Sequence, residues 1–248
     1  MLRDFTKERF DIFIQAGQSN NEGCGWGDVP KPYQPKGSVW YMNQNRTLSV
    51  AAEVAFGNKV RGDYALTFAD EYRKKGLLAE GRKALIIKSA VGGTAFLDKR
   101  WGMEDDLFLQ MMDMTRTALA LNPENRIMAL LWHQGETDAR RQATYEQHYN
   151  NVSALFKAVR SEFGAGIPII TADFVPEWRD YGEVSFEAII AAIRDAVEHV
   201  GNARFVSTEG LRSNGQMSGD GDRVHFCRDS LYELGRRYFE AYCELSGV

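Results

Sequence analysis

The 248-residue chain has only three cysteines, four histidines and six prolines. Each scarcity excludes something. Cys24, Cys227 and Cys243 cannot all pair with one another, and their wide spacing matches no metal-clip pattern, so reduced thiols in a reducing compartment are expected. No stretch approaches the roughly 18 apolar residues that a membrane-spanning helix needs, so no membrane partner is expected. Positive charge is not in excess either. With 30 Lys and Arg against 34 Asp and Glu, the net charge of −4 argues against a protein that binds nucleic acid by neutralising phosphates. The first residues mix both signs of charge and lack an apolar segment. They do not read as a secretory leader, and the cytoplasm is the expected location.

What is present is the composition of an ordinary globular chain, 44% hydrophobic and 26% charged, and a single domain over residues 1–248 is expected. Short apolar runs at residues 10–16, 84–90, 126–132, 167–174 and 203–207 are rich in Ile, Val, Leu and Phe. They are nearly continuous in apolarity, as strands buried on both faces of a parallel sheet are. Helical patterns separate them at 64–75, 105–120, 139–163, 186–200 and 229–245. In the fourth, Ile189, Ile190, Ile193 and Val197 form an apolar stripe that leaves Arg194, Asp195 and Glu198 outside. Gly76, Asn122-Pro123, Gly164 and Gly201 supply stop signals. This alternation predicts a three-layer α/β/α sandwich with about five parallel strands, joined by right-handed crossovers in the flavodoxin-like order 2-1-3-4-5. Residues 23–62 fit none of this. They hold three of the six prolines and six glycines, and read as an irregular excursion with room for a short strand pair.

Ligands of such sheets bind at the carboxyl ends of the strands. The first run leads into Gly17-Gln18-Ser19-Asn20, the second into Gly92-Gly93-Thr94, and the third into His133-Gln134-Gly135-Glu136. After the fifth comes a loop ending in Asp222-Arg223-Val224-His225. Ser, Gly, Gln, Asp and His at strand ends can perform acyl transfer, which needs a nucleophile, a base within hydrogen-bond reach and a group that orients the base. His148 and His199 fall within helical patterns and His133 closes the third strand, which leaves His225, with Asp222 three residues earlier. Each residue also has a plainer reading. Ser19 fits a helix N-cap, Gly92-Gly93 a turn that needs positive φ, Gln134 a polar strand end, and Asp222-x-x-His225 surface decoration.

Together these segments resemble the SGNH hydrolases. Gly17-Gln18-Ser19-Asn20 is similar to the first block of that family, Ala90-Val91-Gly92-Gly93-Thr94 to the second, and Asp222-x-x-His225-Phe226 to the last. Trp132-His133-Gln134-Gly135-Glu136-Thr137-Asp138 resembles the Trp-His-Gln-Gly-Glu-Ser-Asp string of the carbohydrate-esterase branch, which includes sialate O-acetylesterases and acetylxylan-esterase-like proteins. Asn21 and Thr137 stand where that branch often has Met and Ser. The resemblance implies a serine esterase that removes acetyl groups from a carbohydrate, of sialic-acid or xylan type, with no cofactor and no metal. Ser19 would be the nucleophile, His225 the base and Asp222 its orienter. The N–H groups of Ser19 and Gly92 and the Gln134 amide would form the oxyanion hole. Gln18, Trp26, Gly93, Trp101 and Glu136 are candidate substrate contacts, the two tryptophans as stacking surfaces for a pyranose. Glu136 would also tie the third block to the first, and Asp138 reads as a helix N-cap. A glycosidase pair from Glu136 and Asp138 is disfavoured, because such carboxylates flank the scissile bond from separate elements. His133, Asp138, Asp220, Asp222 and His225 show no metal-ligand spacing. The competing class is a catalytically idle carbohydrate-binding protein on the same scaffold.

Overall fold

Adjacent residues of the central strands are apolar in both directions because helices cover the sheet on both sides. The computed structural model describes residues 4–28, 31–182 and 184–248. Its strands are β1 (Arg9–Gly17), β2 (Gly25–Gly27), β3 (Val39–Met42), β4 (Leu48–Val50), β5 (Val54–Phe56), β6 (Lys59–Gly62), β7 (Arg82–Lys88), β8 (Arg126–His133), β9 (Ile169–Ala172) and β10 (Ala203–Val206). Its helices are α1 (Ser19–Glu22), α2 (Tyr64–Lys74), α3 (Asp106–Ala120), α4 (Glu136–Arg140), α5 (Tyr145–Phe163), α6 (Pro176–Tyr181), α7 (Glu187–Val200), α8 (Asn214–Ser218) and α9 (Arg228–Ser246). The main sheet runs β10-β9-β8-β1-β7-β3-β4, parallel throughout except for the antiparallel β3–β4 pair. The five apolar runs are β1, β7, β8, β9 and β10, adjacent in the order β7-β1-β8-β9-β10.

On one face, Phe13, Ile86 and Leu131 pack with Phe68 and Tyr72 of α2 and Leu231, Leu234 and Tyr238 of α9. On the other, Ile12, Ile14, Leu85, Ile87 and Leu130 pack with Met111 and Met114 of α3 and Val152, Phe156 and Val159 of α5. Each such side chain stabilises the fold by about 1.5–3 kcal/mol through burial. A carboxylate at Phe13 would therefore strip β1 of its hold on α2. Helix α9 approaches α2 so closely that a Cβ on Gly235 would stand 2.3 Å from the Tyr64 carbonyl oxygen.

Residues 23–62 are more ordered than their composition suggests. Apart from residues 29 and 30, which lie outside the described residues, they carry five strands. The main sheet therefore has seven strands rather than about five: the wholly buried Val39–Met42 pairs parallel to β7, and β4 follows as the antiparallel edge. The others form a second antiparallel sheet, β2-β6-β5. These strands have only three or four residues, too short to show a period, and three of the segment's glycines, Gly25, Gly27 and Gly62, lie within them. The expected helix at 139–163 is two helices, α4 and α5, with Thr144 and Gln147 forming a capping box at the start of α5. Asp138 consequently lies inside α4, whose N-cap is Gly135, and does not cap it. Among the described residues no helix is long and apolar enough to cross a membrane.

Candidate active site

The carboxyl ends of β1 and β8 meet at Gly17. Its φ is +143°, and a Cβ there would stand 2.0 Å from the His133 carbonyl oxygen. Only glycine permits this approach. Gln18 N–H then donates to that carbonyl at 3.0 Å, and the chain turns into α1 with Ser19 as its first residue. The Gln18 carbonyl accepts the N–H groups of Asn21 at 2.9 Å and Glu22 at 2.8 Å, closing the single turn that Ser19 begins.

Against Ser19 stands the loop between α8 and α9. His225 Nε2 lies 2.8 Å from Ser19 Oγ, and His225 Nδ1 lies 2.8 Å from Asp222 Oδ2. Asp222 Oδ1 also accepts the backbone N–H groups of Val224 and His225, both at 3.2 Å, and Oδ2 accepts Asn214 Nδ2 at 3.0 Å. Burial works against the charged form of Asp222, but the hydrogen bonds from His225 and Asn214 outweigh it and bring its pKa down to about 2. An ionised Asp222 favours the tautomer with hydrogen on Nδ1, which leaves Nε2 free to accept from the serine hydroxyl. The structure thus brings Ser19, His225 and Asp222 together from positions 206 and 3 residues apart.

Two asparagines hold this loop. Asn20 donates through Nδ2 to Glu136 Oε1 at 2.8 Å and to the Val224 carbonyl at 3.0 Å, and accepts the Phe226 N–H at 3.0 Å. It therefore grips the chain on both sides of His225. Asn214 donates to Asp222 and to the Cys24 carbonyl, and accepts the Trp26 N–H at 2.9 Å. Asn20 belongs to the first block, but nothing in the sequence marks Asn214. Its signal is the Ser213–Gln216 capping box beside it, which identifies a helix start and no more.

Three of the candidate substrate contacts, and the oxyanion candidate Gln134, are buried in the scaffold. Gln18 is buried, with its Oε1 accepting the Gly135 and Thr137 N–H groups at 3.4 and 3.2 Å. Glu136, 1% exposed, faces Asn20 and His133. Burial pushes its carboxyl up, but these two partners prevail and its pKa is lowered. Trp101 is 0% exposed, with its indole N–H on Thr94 Oγ1 and its ring edge-on to Trp132, so it is a core anchor and not a sugar platform. Gln134 is 1% exposed and donates Nε2 to Asp138 Oδ2 at 2.5 Å and to the Thr94 carbonyl at 3.3 Å. Both amide hydrogens are thereby engaged, and Asp138 in turn accepts the N–H groups of Phe96 and Leu97. Gln134 thus braces the loop after β7 in this structure rather than presenting a free amide hydrogen.

The remaining candidates are accessible. Trp26 is half-buried on β2, edge-on to Phe56, and lines a cavity of about 260 Å³ with Met217 and Arg228. Gly93, with φ +70°, is exposed beside Gly92. Gly92 abuts the nucleophile candidate: a Cβ built on it would lie 3.4 Å from Ser19 Cβ. Its N–H donates to Glu22 Oε2 at 2.9 Å, a contact the sequence did not signal.

A largely parallel sheet between helices, with a polar cluster at its carboxyl edge, makes the protein a mixed α/β fold with a candidate site at the strand ends. The chain belongs to the carbohydrate esterase family described as sialic acid-specific acetylesterase, which matches residues 9–244. It is 31% identical over 98 residues to a "Probable 9-O-acetyl-N-acetylneuraminic acid deacetylase" of Escherichia coli (strain K12), covering 36% of this chain and 30% of that protein. Over 178 residues it is 26% identical to a "Probable carbohydrate esterase" of Arabidopsis thaliana, covering 64% of this chain and 66% of the relative. The matches thus span less than two thirds of either relative. The crystal structure of NanS superposes with a TM-score of 0.79 at 17% identity, covering 97% of this chain and 98% of that one. A carbohydrate acetylesterase from Xanthomonas citri superposes with a TM-score of 0.64 at 17% identity, covering 96% and 56%. These two likenesses are of fold.

Proposed function

We propose that the chain, acting as one esterase domain, removes O-acetyl groups from a carbohydrate through an acetyl-enzyme. The observation that carries this reading is the 2.8 Å contact of Ser19 Oγ with His225 Nε2, continued at 2.8 Å from Nδ1 to Asp222. Ser19 Oγ attacks the ester carbonyl while His225 Nε2 takes its proton. The oxyanion forms beside the Ser19 and Gly92 N–H groups. Collapse expels the sugar hydroxyl, which leaves with the proton from His225. Water then loses a proton to His225, attacks the acetyl group, and acetate departs as Ser19 recovers its hydrogen. Asp222 stays ionised throughout and stabilises the imidazolium.

Family membership and the deacetylase named among the relatives support an acetylated sugar, with sialic acid and xylan types as the candidate classes. Trp26 and Gly93 are the accessible candidates for the sugar-facing wall. The test is acetate release from O-acetylated sialic acid, xylo-oligosaccharide and amino sugar, with p-nitrophenyl acetate alongside. Ser19→Ala should lower turnover on every active ester by about 10⁴–10⁶-fold with an unchanged melting curve. A fluorophosphonate should label the wild type at Ser19 and spare the variant. A Ser19→Ala protein that kept a tenth of wild-type turnover would overturn the nucleophile. Sugar binding without acetate release would return the scaffold to the idle binding class.

A further inference from the structure

The charged side chains of Glu22 and Arg61 have no part in the steps above. Glu22 closes α1, three residues after Ser19, and its Oε2 holds the Gly92 N–H at 2.9 Å. A Cβ on Gly92 would sit 3.1 Å from that oxygen and 3.4 Å from Ser19 Cβ. A carboxylate oxygen therefore occupies the N–H that the proposed oxyanion needs. Two negative charges cannot share one donor without strong repulsion.

Glu22 and Arg61 line the same cavity of about 330 Å³, together with Lys88, Asp63 and Glu53. The other charges there are already matched. Asp63 meets Lys88 at 2.6 Å, and Glu53 meets Arg228 at 2.6 Å. Arg61 is different. It lies on β6 opposite Trp26, with its guanidinium 5.8 Å from both the Trp26 and Phe56 rings. Among the described residues no carboxylate stands within ion-pair distance of it. Its guanidinium donates to Cys24 Sγ at 2.8 Å, and its Nε is buried without a hydrogen-bond partner among the described residues. Burial raises the Cys24 thiol most, and it feels Arg61 and Glu22 with opposite sign, so both charges act on one sulfur.

Resting on the esterase reading, we propose that Glu22 is a positioning residue with two stations. In the empty site its carboxylate covers the Gly92 N–H. When an ester carbonyl takes that N–H, the carboxylate moves to Arg61. No bond is made or broken in the exchange. Glu22 competes with the substrate carbonyl for one donor, and Arg61 sets how weakly it competes, so the effect falls chiefly on KM.

A double-mutant cycle read on p-nitrophenyl acetate and on the rate of fluorophosphonate labelling tests this. Glu22→Ala should raise kcat/KM about tenfold, mainly by lowering KM, and should speed labelling similarly. Glu22→Gln, which keeps the acceptor and loses the charge, should fall between it and wild type. Arg61→Met should lower both rates about tenfold, and Arg61→Lys should restore most of the loss. In the Glu22→Ala background Arg61→Met should change neither rate by more than about twofold. Equal losses from Arg61→Met in both backgrounds would overturn the exchange and make Arg61 a substrate or scaffold contact. A slower Glu22→Ala enzyme with wild-type melting would overturn it too. A wild type that neither turns over the ester nor labels at Ser19 would overturn the esterase reading, and the exchange with it.

Discussion

Replacing Asn20 with alanine separates the chemistry of His225 from its placement. Asn20 is fully buried and makes three hydrogen bonds, to Glu136, to the Val224 carbonyl and from the Phe226 N–H. Alanine would leave a buried N–H and a buried-side carbonyl without partners and take one donor from the Glu136 carboxylate. Each orphaned group costs about 1–3 kcal/mol. Allowing for relaxation around a small side chain, a total loss of about 3 kcal/mol is expected, or roughly 6–12 °C in Tm for a chain of this size. Activity should fall further than stability alone explains. The two bonds flanking His225 fix its loop, and a shift of about 1 Å can cost on the order of 100-fold in rate. Asn20→Asp should be worse at pH 7, because it sets a carboxylate against Glu136, and should approach Asn20→Ala on acidification as the two carboxyls share a proton. Denaturant midpoints and kcat on p-nitrophenyl acetate, both at 25 °C, are the assays. An Asn20→Ala enzyme that lost about 3 kcal/mol yet kept full kcat would show that Asn20 supports the fold without placing His225. One with unchanged stability would refute the hydrogen-bond accounting itself.

Asp222→Asn should lower kcat by about 10⁴, since an amide favours the wrong imidazole tautomer; an unaffected enzyme would remove Asp222 from the mechanism. The same carboxyl, at about 2 in the fold, contributes stability that is present above its unfolded value of 3.8. That contribution, about 2 kcal/mol at most, is lost as pH falls from there towards 2, and the Asn variant should lack this part of the acid slope. Burial pushes His148 down to about 4 against the pull of Asp138 and Glu136. The unfolded histidine gains its proton near 6.5 while the folded one stays neutral, so stability is fully present above about 6.5 and declines towards pH 4, by up to about 3 kcal/mol. Urea midpoints of His148→Gln should therefore fall less than those of wild type between pH 7 and pH 4.5; parallel slopes would refute the assignment. Gln134→Ala should act through the loop it braces, lowering Tm as well as turnover, whereas a loss confined to kcat with a wild-type melt would restore it as an oxyanion donor.

By itself the sequence determined the layers and the chemistry-bearing ends of the strands. Runs such as Ile12–Ile14 and Leu85–Ile87 are apolar at every position only when both faces are covered, a local property that one stretch of chain carries. Ser19, Asp222 and His225 were legible for a related reason: each follows a strand or precedes a helix, and a parallel sheet delivers such points to one edge. Short strands were not legible. The three or four residues of β2, β5 and β6 have no measurable period, and pairing makes them strands, β5 with β6 as a local hairpin and β2 with β6 from some distance along the chain. Contacts were legible least of all. Gln134 and Trp101 have the residue types of a donor and a sugar platform, but burial against Asp138 and Trp132 assigned both to the scaffold. Glu22 on the Gly92 amide and Asn20 on Glu136 arise between segments far apart in sequence, and Asn214, eight residues from Asp222, meets it only because the intervening loop folds back. Hydrogen bonding and ion pairing act over a few ångströms of space, and only the folded chain determines which groups lie within that reach.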